Sequence, residues 1–326
     1  MSTNEKQYLI RMEFFDSKTI ANIATIEEWV DAMGKALQTA ASDSLLVPDR
    51  MHLDYDKDTF LIMPCITAEY WVTKLVSFCP GNKLSGKPSI YGTVVLNDTK
   101  TGEPLAIMEG SIITAMRTAG VTATGIKYLS DIESHSLGII GTCAQGVYQA
   151  LFACSVRNVY EIWAYDLSKK NLDNFEEKIK ANYSEIKIYR ADNSSQVVAK
   201  SDMIISATNS PNPVFENSNE LFKGKTCIGI GYYKPDCMEF PEQFFRQLDQ
   251  VFVDTLTGKS ESGDLITPVK NRWISEASII PLGSLISGNI NLSQNETKFF
   301  KTVGSAIFDL FAAKLIYEKH KKNSTE

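Results

Sequence analysis

Short apolar runs alternate with polar, helix-forming stretches between residues 135 and 256. His135–Thr142 (HSLGIIGT), Val159–Asp166 (VYEIWAYD), Ile186–Ala191, Asp202–Thr208, Thr226–Gly231 and Gln250–Thr255 are short and rich in β-branched residues. Such runs predict strands buried on both faces. Between the first two, Ala144–Val156 carries Val147, Leu151 and Cys154 at helical spacing. Ser168 is placed to cap a helix over Lys169–Ala181. Strand–helix–strand alternation with short links predicts right-handed crossovers and an α/β, Rossmann-type doubly wound parallel sheet.

The flanks read differently. Ile26–Ala41 has an amphipathic helical pattern, with Trp29, Val30, Met33 and Leu37 on one side. Thr59–Met63, Tyr70–Ser77 and Ile90–Asn97 are β-like, separated by the turn clusters Pro80-Gly81-Asn82 and Asp98–Gly102. This is an α+β pattern. A long helix over roughly Ile112–Leu129 bridges the two regions. Glu296–Lys319 shows one apolar helical stripe: Phe299, Val303, Ile307, Leu310, Phe311, Leu315 and Ile316. The predicted sheet domain has no helix face left for it. The segment is therefore expected to return to the N-terminal domain, giving a discontinuous domain of residues 1–118 with 300–326 and a sheet domain of 119–299.

Composition narrows the function. The chain has 326 residues, 44% hydrophobic and 22% charged, with a net charge of −6. Nothing there supports nucleic-acid binding. No apolar run reaches the ~18 residues of a membrane span. The opening MSTNEKQYLIRMEF lacks the apolar core of a secretory leader, so a cytoplasmic protein is expected. The six cysteines fit no zinc template, and H-E-x-x-H, H-x-E and G-x-S-x-G do not occur. No metal is expected.

A dinucleotide site needs a tight turn after a strand, close backbone approach to the pyrophosphate, and a helix N-terminus. Gly141-Thr-Cys143-Ala-Gln-Gly146 stands in that context, with the first and third glycines of G-x-G-x-x-G present and Cys143 in place of the second. Asp166 ends the next strand, where a carboxylate accepts hydrogen bonds from the adenine ribose and repels a 2′-phosphate. Aspartate also starts turns. Strand, glycine turn, helix and acid in order point to a dinucleotide, with NAD favoured over NADP.

Three cations stand out. Arg50 follows Val47-Pro48-Asp49. Alternation puts Lys74 on the apolar face of its strand with Val72 and Val76, a costly position unless the ammonium meets an anion. Arg117 lies among small residues, Thr114-Ala-Met-Arg-Thr-Ala-Gly. A guanidinium suits a carboxylate through bidentate hydrogen bonding.

Gly102–Leu129 (GEPLAIMEGSIITAMRTAGVTATGIKYL) closely resembles the ornithine cyclodeaminase/μ-crystallin family. So do Arg50, Met63-Pro64, Lys74 with Pro80-Gly81-Asn82, and Gly141…Gln145. Ser206-Ala-Thr208, Gly231…Pro235 with Glu239, Glu261-Ser-Gly-Asp264 and Phe300–Ala313 also match. The resemblance spans nearly the whole chain. It implies a homodimer built through the N-terminal, substrate-binding domain, beside an NAD(P)-binding Rossmann domain. It implies that Arg50, Lys74 and Arg117 hold the carboxylate of an α-amino or imino acid. Ser89, Arg117, Thr118, Gly141, Cys143, Ala144, Gln145, Asp166 and Thr208 fall at the cofactor positions.

Two departures bear on activity. The cyclodeaminases carry an aspartate where this chain has Tyr233, two residues before Pro235. Ornithine cyclodeaminases also carry a glutamate before Met-Pro, where this chain has Thr59-Phe60-Leu61-Ile62. The expectation is therefore an NAD(H)-dependent oxidoreductase acting at the C–N bond of a small amino or imino acid. Lys74 is the expected proton-transfer group, Arg117 its catalytic neighbour, and Tyr233 a pocket wall or proton relay. A cyclodeaminase that uses NAD catalytically and a non-catalytic nucleotide-binding relative remain alternatives.

Overall fold

The computed structural model describes residues 12–42, 45–231, 235–294 and 296–325. They fall into two units. One is drawn from Met1–Ala24, Ser44–Thr114 and Asp309–Glu326, the other from Thr25–Asp43 and Ala115–Phe308.

The first unit is built on a six-stranded sheet. Its strands are β1 (Glu13–Phe15), β2 (Met51–Tyr55), β3 (Asp58–Ile66), β4 (Tyr70–Phe78), β5 (Ile90–Asp98) and β6 (Pro104–Glu109). They stand in the order β1-β6-β5-β4-β3-β2. β2 to β6 form an antiparallel meander, and β1 adds parallel to β6. Period-2 alternation buries Leu61, Met63 and Cys65, then Val72 and Lys74, then Val94 and Leu96, then Ala106 and Met108. Lys74 pairs with Met63 on one side and Val94 on the other, so register fixes it inside this apolar row. The C-terminal helix, Ala306–Thr325, brings Asp309 to Lys74, Tyr317 edge-on to Tyr70, and His320 edge-on to Phe15.

The second unit is an eight-stranded, wholly parallel sheet. Its strands are β7 (Ser136–Ile140), β8 (Glu161–Tyr165), β9 (Lys187–Arg190), β10 (Met203–Ser206), β11 (Thr226–Gly229), β12 (Val251–Val253), β13 (Ile279–Pro281) and β14 (Lys298–Lys301). Their order is β13-β12-β14-β11-β10-β7-β8-β9. Every residue of β10, β11, β12 and β14 is buried. From β7 the chain steps outward to β8 and β9, then returns to β10 on the other side. The crevice outside the carboxyl ends of β7 and β10 is thus the topological switch point, where doubly wound sheets bind ligands. Phe222, Phe240, Phe244, Phe245 and Phe299 fill one side of the sheet with mostly edge-to-face ring contacts.

Two expectations are corrected here. Glu296–Lys319 is not one helix. Lys298–Lys301 is a central strand, and the helix begins only at Ala306. Gly304 between them adopts φ +79°, a left-handed conformation that interrupts a helix. The Ile26–Ala40 helix groups with the sheet unit and not with residues 44–114. Trp29 and Met33 lie against Gly120, and Leu37 against Gly283. Its Thr25–Glu28 capping box fixes where it starts. Among the described residues no helix is long and apolar enough to cross a membrane.

Candidate functional site

In the sheet unit β7 runs into Gly141, which takes φ +89°. A Cβ there would lie 2.5 Å from the Ala207 carbonyl oxygen, and one on Gly146 would collide with the carbonyl oxygen of Gly141. Strand, turn and helix therefore cross at a separation only glycine permits. Cys143 caps the Ala144–Val156 helix without a side-chain hydrogen bond. Cys143 and Ala144 are both exposed, so the N–H groups of this helix end face solvent, as a pyrophosphate site requires. Cys143 has φ −66° and ψ −168°, ordinary extended backbone that makes no demand for glycine. Gln145 accepts a hydrogen bond from the Gln149 side chain at 3.2 Å.

Asp166 lies one residue past β8. Its Oδ2 accepts from Thr142 N at 2.8 Å, Thr142 Oγ1 at 3.1 Å and Asn171 Nδ2 at 3.2 Å, while Oδ1 accepts from Ser168 N at 2.8 Å. Burial pushes the carboxyl up, but these hydrogen bonds outweigh it and hold it below the ordinary aspartate range. The carboxylate is thus pinned to the glycine turn and to the start of the Lys169–Asn182 helix. Thr142 and Asn171 are partners the sequence pattern did not single out.

Thr208 follows β10. Its backbone N–H and its hydroxyl both donate to Glu239 Oε1, at 3.1 and 2.6 Å. Arg117 is 6% exposed on the Gly110–Leu129 helix, and half-buried Thr118 follows it. A Cβ on Gly304 would lie 2.7 Å from Arg117 Nη1. The turn bearing Gly304 is held by Asp254, whose Oδ2 accepts from Thr302 Oγ1 at 2.6 Å, Val303 N at 3.0 Å and Gly304 N at 2.8 Å. Asp254 is a second functional candidate that local spacing could not reveal.

Arg50, Lys74 and Ser89 belong to the first unit. The anion that buried Lys74 meets is Asp309: Nζ lies 2.7 Å from Oδ2. Cys65 is pushed up to about 12, by burial first and by the charge of Asp309 second. Arg50 is half-buried just ahead of β2. The Ser89 hydroxyl is buried with no hydrogen-bond partner among the described residues. Tyr233 lies outside the described residues.

A cavity of about 870 Å³ opens at the opposite, amino edge of the parallel sheet, lined by His135, Cys154, Tyr160, Glu161, Tyr183 and Lys187. Its buried cation, Arg157, is consumed in donating to the Ile126, Lys127 and Ser130 carbonyls at the end of the Gly110–Leu129 helix. The dinucleotide features gather at the carboxyl edge instead.

The family model described as the ornithine cyclodeaminase/mu-crystallin family matches residues 13–324. A Delta(1)-pyrroline-2-carboxylate reductase of Bacillus cereus is 33% identical over 98% of this chain and 95% of its own. A ketimine reductase mu-crystallin of Mus musculus is 30% identical over 79% of each chain. Among solved structures, Thermococcus litoralis Delta(1)-pyrroline-2-carboxylate reductase in complex with NADH and L-proline matches with a TM-score of 0.89 and 31% identity. That match covers 96% of this chain and 98% of the other.

Proposed function

The chain belongs to the ornithine cyclodeaminase/mu-crystallin family, and from that membership we propose that it is an NAD(H)-dependent oxidoreductase that reduces a small cyclic imino acid at its C=N bond. The observation that carries this reading is the Asp166 carboxylate, ionised and pinned to a glycine turn at the carboxyl edge of β7 and β8. Gly141, Cys143, Ala144 and Gln145 present the helix end for a pyrophosphate. Asp166 faces the adenine ribose and disfavours a 2′-phosphate. Ser89, Thr118 and Thr208 complete the cofactor contacts. Bound NADH supplies the hydride that the imino carbon takes up.

The rest falls to side chains. Arg50, Lys74 and Arg117 hold the substrate carboxylate, by charge and by guanidinium geometry. Lys74 delivers the proton the nitrogen needs. The relatives at 31–33% identity are named for pyrroline-2-carboxylate reduction, so a five-membered cyclic imine is the first substrate to try.

A homodimer formed through the first unit is part of the same proposal. The outer face of its sheet exposes Phe14, Met51, Leu53, Phe60, Leu75 and Tyr91. Leu53 pairs with Phe60, while Met51 and Leu75 flank Ile62, so the face is continuous. Contiguous apolar surface of this kind marks an interaction site. The cytoplasm, where thiols are kept reduced, is the proposed compartment.

The test is a titration with NADH and NADPH followed by nicotinamide fluorescence, then NADH consumption on adding Δ1-pyrroline-2-carboxylate. Saturation by NADH in preference to NADPH, with imine-dependent oxidation, is expected. Ammonia release from L-ornithine without net NADH change would overturn the reading in favour of a cyclodeaminase. Absence of binding by either nucleotide would leave a ligand-binding relative.

A further inference from the structure

Glu239 is 1% exposed. Three donors converge on one of its oxygens: Ser206 Oγ at 2.6 Å, Thr208 Oγ1 at 2.6 Å and Thr208 N at 3.1 Å, all on Oε1. The other oxygen, Oε2, is buried with no hydrogen-bond partner among the described residues. It faces the Cα of Gly231, where any Cβ would strike it. Lys301, the nearest cation among the described residues, is 4.0 Å away and committed elsewhere, with its ammonium 2.8 Å from Asp264 Oδ2. Asp264 Oδ1 in turn accepts from the backbone N–H groups of Glu239 and Phe240, at 2.8 and 3.2 Å. Two carboxylates and one ammonium thus share a dry pocket.

Such a cluster is expensive. Desolvating ions costs several kcal/mol each, and well-packed apolar side chains would often do as well for stability. Burial pushes the Glu239 carboxyl up; Lys301 pulls against it and the like charge of Asp264 adds to it. The cluster's position gives a reason for it. Ser206 is the last residue of β10 and Lys301 the last of β14, so the cluster sits under the carboxyl edge of the sheet. Thr208 lies two residues past β10, and the carbonyl of the intervening Ala207 is the group packed against Gly141. Glu239 is therefore joined, through three hydrogen bonds to one short segment, to the wall of the dinucleotide turn.

We infer that Glu239 is a positioning residue for the nicotinamide nucleotide: it fixes the Ser206–Thr208 segment against the glycine turn, and Lys301 with Asp264 fixes Glu239. Being sealed from solvent, it acts through Thr208 and not on the reacting atoms. This rests on the cofactor reading above.

The experiment uses the full-length protein with NADH and Δ1-pyrroline-2-carboxylate. Glu239→Gln keeps the shape but replaces one oxygen with a competing donor. We expect the NADH dissociation constant and the KM for NADH to rise by about tenfold, the loss of one to two buried hydrogen bonds. The KM for the imine should stay within about twofold. Thr208→Val should weaken NADH similarly, and the double variant should be little worse than either single, because both break one link. A purely structural role predicts the reverse: a lower Tm with NADH affinity unchanged, or additive losses. Either result overturns the inference. If Glu239→Gln does not fold, Ser206→Ala removes one donor to Glu239 at a residue outside the proposed cofactor contacts and gives the same split. Normal NADH binding by the unmodified protein with an unaffected Glu239→Gln defeats the positioning role alone. No NADH binding by the unmodified protein defeats it together with the cofactor reading.

Discussion

Lys74 Nζ lies 2.7 Å from Asp309 Oδ2, with the two side chains 2% and 0% exposed. A mid-sheet strand and the first turn of the C-terminal helix are thereby tied by one dry ion pair. Removing one partner of such a pair costs about 3–5 kcal/mol, because the other charge stays buried. Asp309→Asn should lower stability by that order in a denaturant melt. Lys74→Met with Asp309→Leu should cost less than the single change at Asp309. A double variant as unstable as the sum of its parts would show that the pair does not act as a unit.

Lys74 also has a proposed chemical role. Lys74→Met should abolish imine reduction while NADH binding persists in the fluorescence titration. Turnover within about twofold of normal would remove Lys74 from the proton-transfer step.

The glycine turn makes opposite predictions at two neighbouring positions. Gly141→Ala must strain a φ of +89° and push a methyl group to 2.5 Å from the Ala207 oxygen. It should weaken NADH by about tenfold or more, or prevent folding. Cys143→Gly changes a residue whose backbone is already ordinary, so NADH affinity should move by less than about threefold. A large gain would mean that the thiol obstructs the phosphates.

Asp166 links the cofactor site to pH. Its folded pKa is depressed, as is that of Asp202, where burial pushes up and the Ser136 and His135 hydrogen bonds prevail. Depressed carboxyls contribute stability above their unfolded pKa of about 4, lost as pH falls through the folded value. The protein should lose stability on acidification below about pH 4, and Asp202→Asn should flatten that acid limb in urea melts. Asp166→Ser should bring NADPH affinity up towards that for NADH, with NADH weakened, as read by fluorescence.

Gly304 carries the last prediction. Gly304→Ala strains φ +79° and thrusts a methyl group at the Arg117 guanidinium. The KM for the imino acid should rise by about tenfold, with a smaller loss of NADH affinity. Equal losses in both would point to collapse of the Asp254-held turn instead.

The parallel sheet is legible in the sequence because its inner strands are apolar on both faces and alternate with helices. Gly141 and Asp166 are legible because their spacing is local. Asp309 is invisible as the partner of Lys74, since the two come from distant parts of the chain. Glu239, Asp264 and Lys301 arrive from three separate segments, and only the fold brings them together. Phe299 and Phe300 suit either a strand or a helical stripe, and the positive φ of Gly304 decides between them. The amphipathic pattern of Ile26–Ala40 says that a face is covered, not by what.

β14 is the last strand to be made, yet it lies between β11 and β12. Until Lys301 has been synthesised, the sheet exists as two separate pieces, β12 with β13 on one side and the β11 edge on the other. Both pieces present open edges of wholly buried-type sequence, the kind that pairs with other chains. The first unit waits as well, for Asp309 and the helix that follows. A growing chain therefore keeps the parallel sheet in two open pieces until β14 is made, and a pause in synthesis before Lys298 leaves exposed the very edges that β14 later closes.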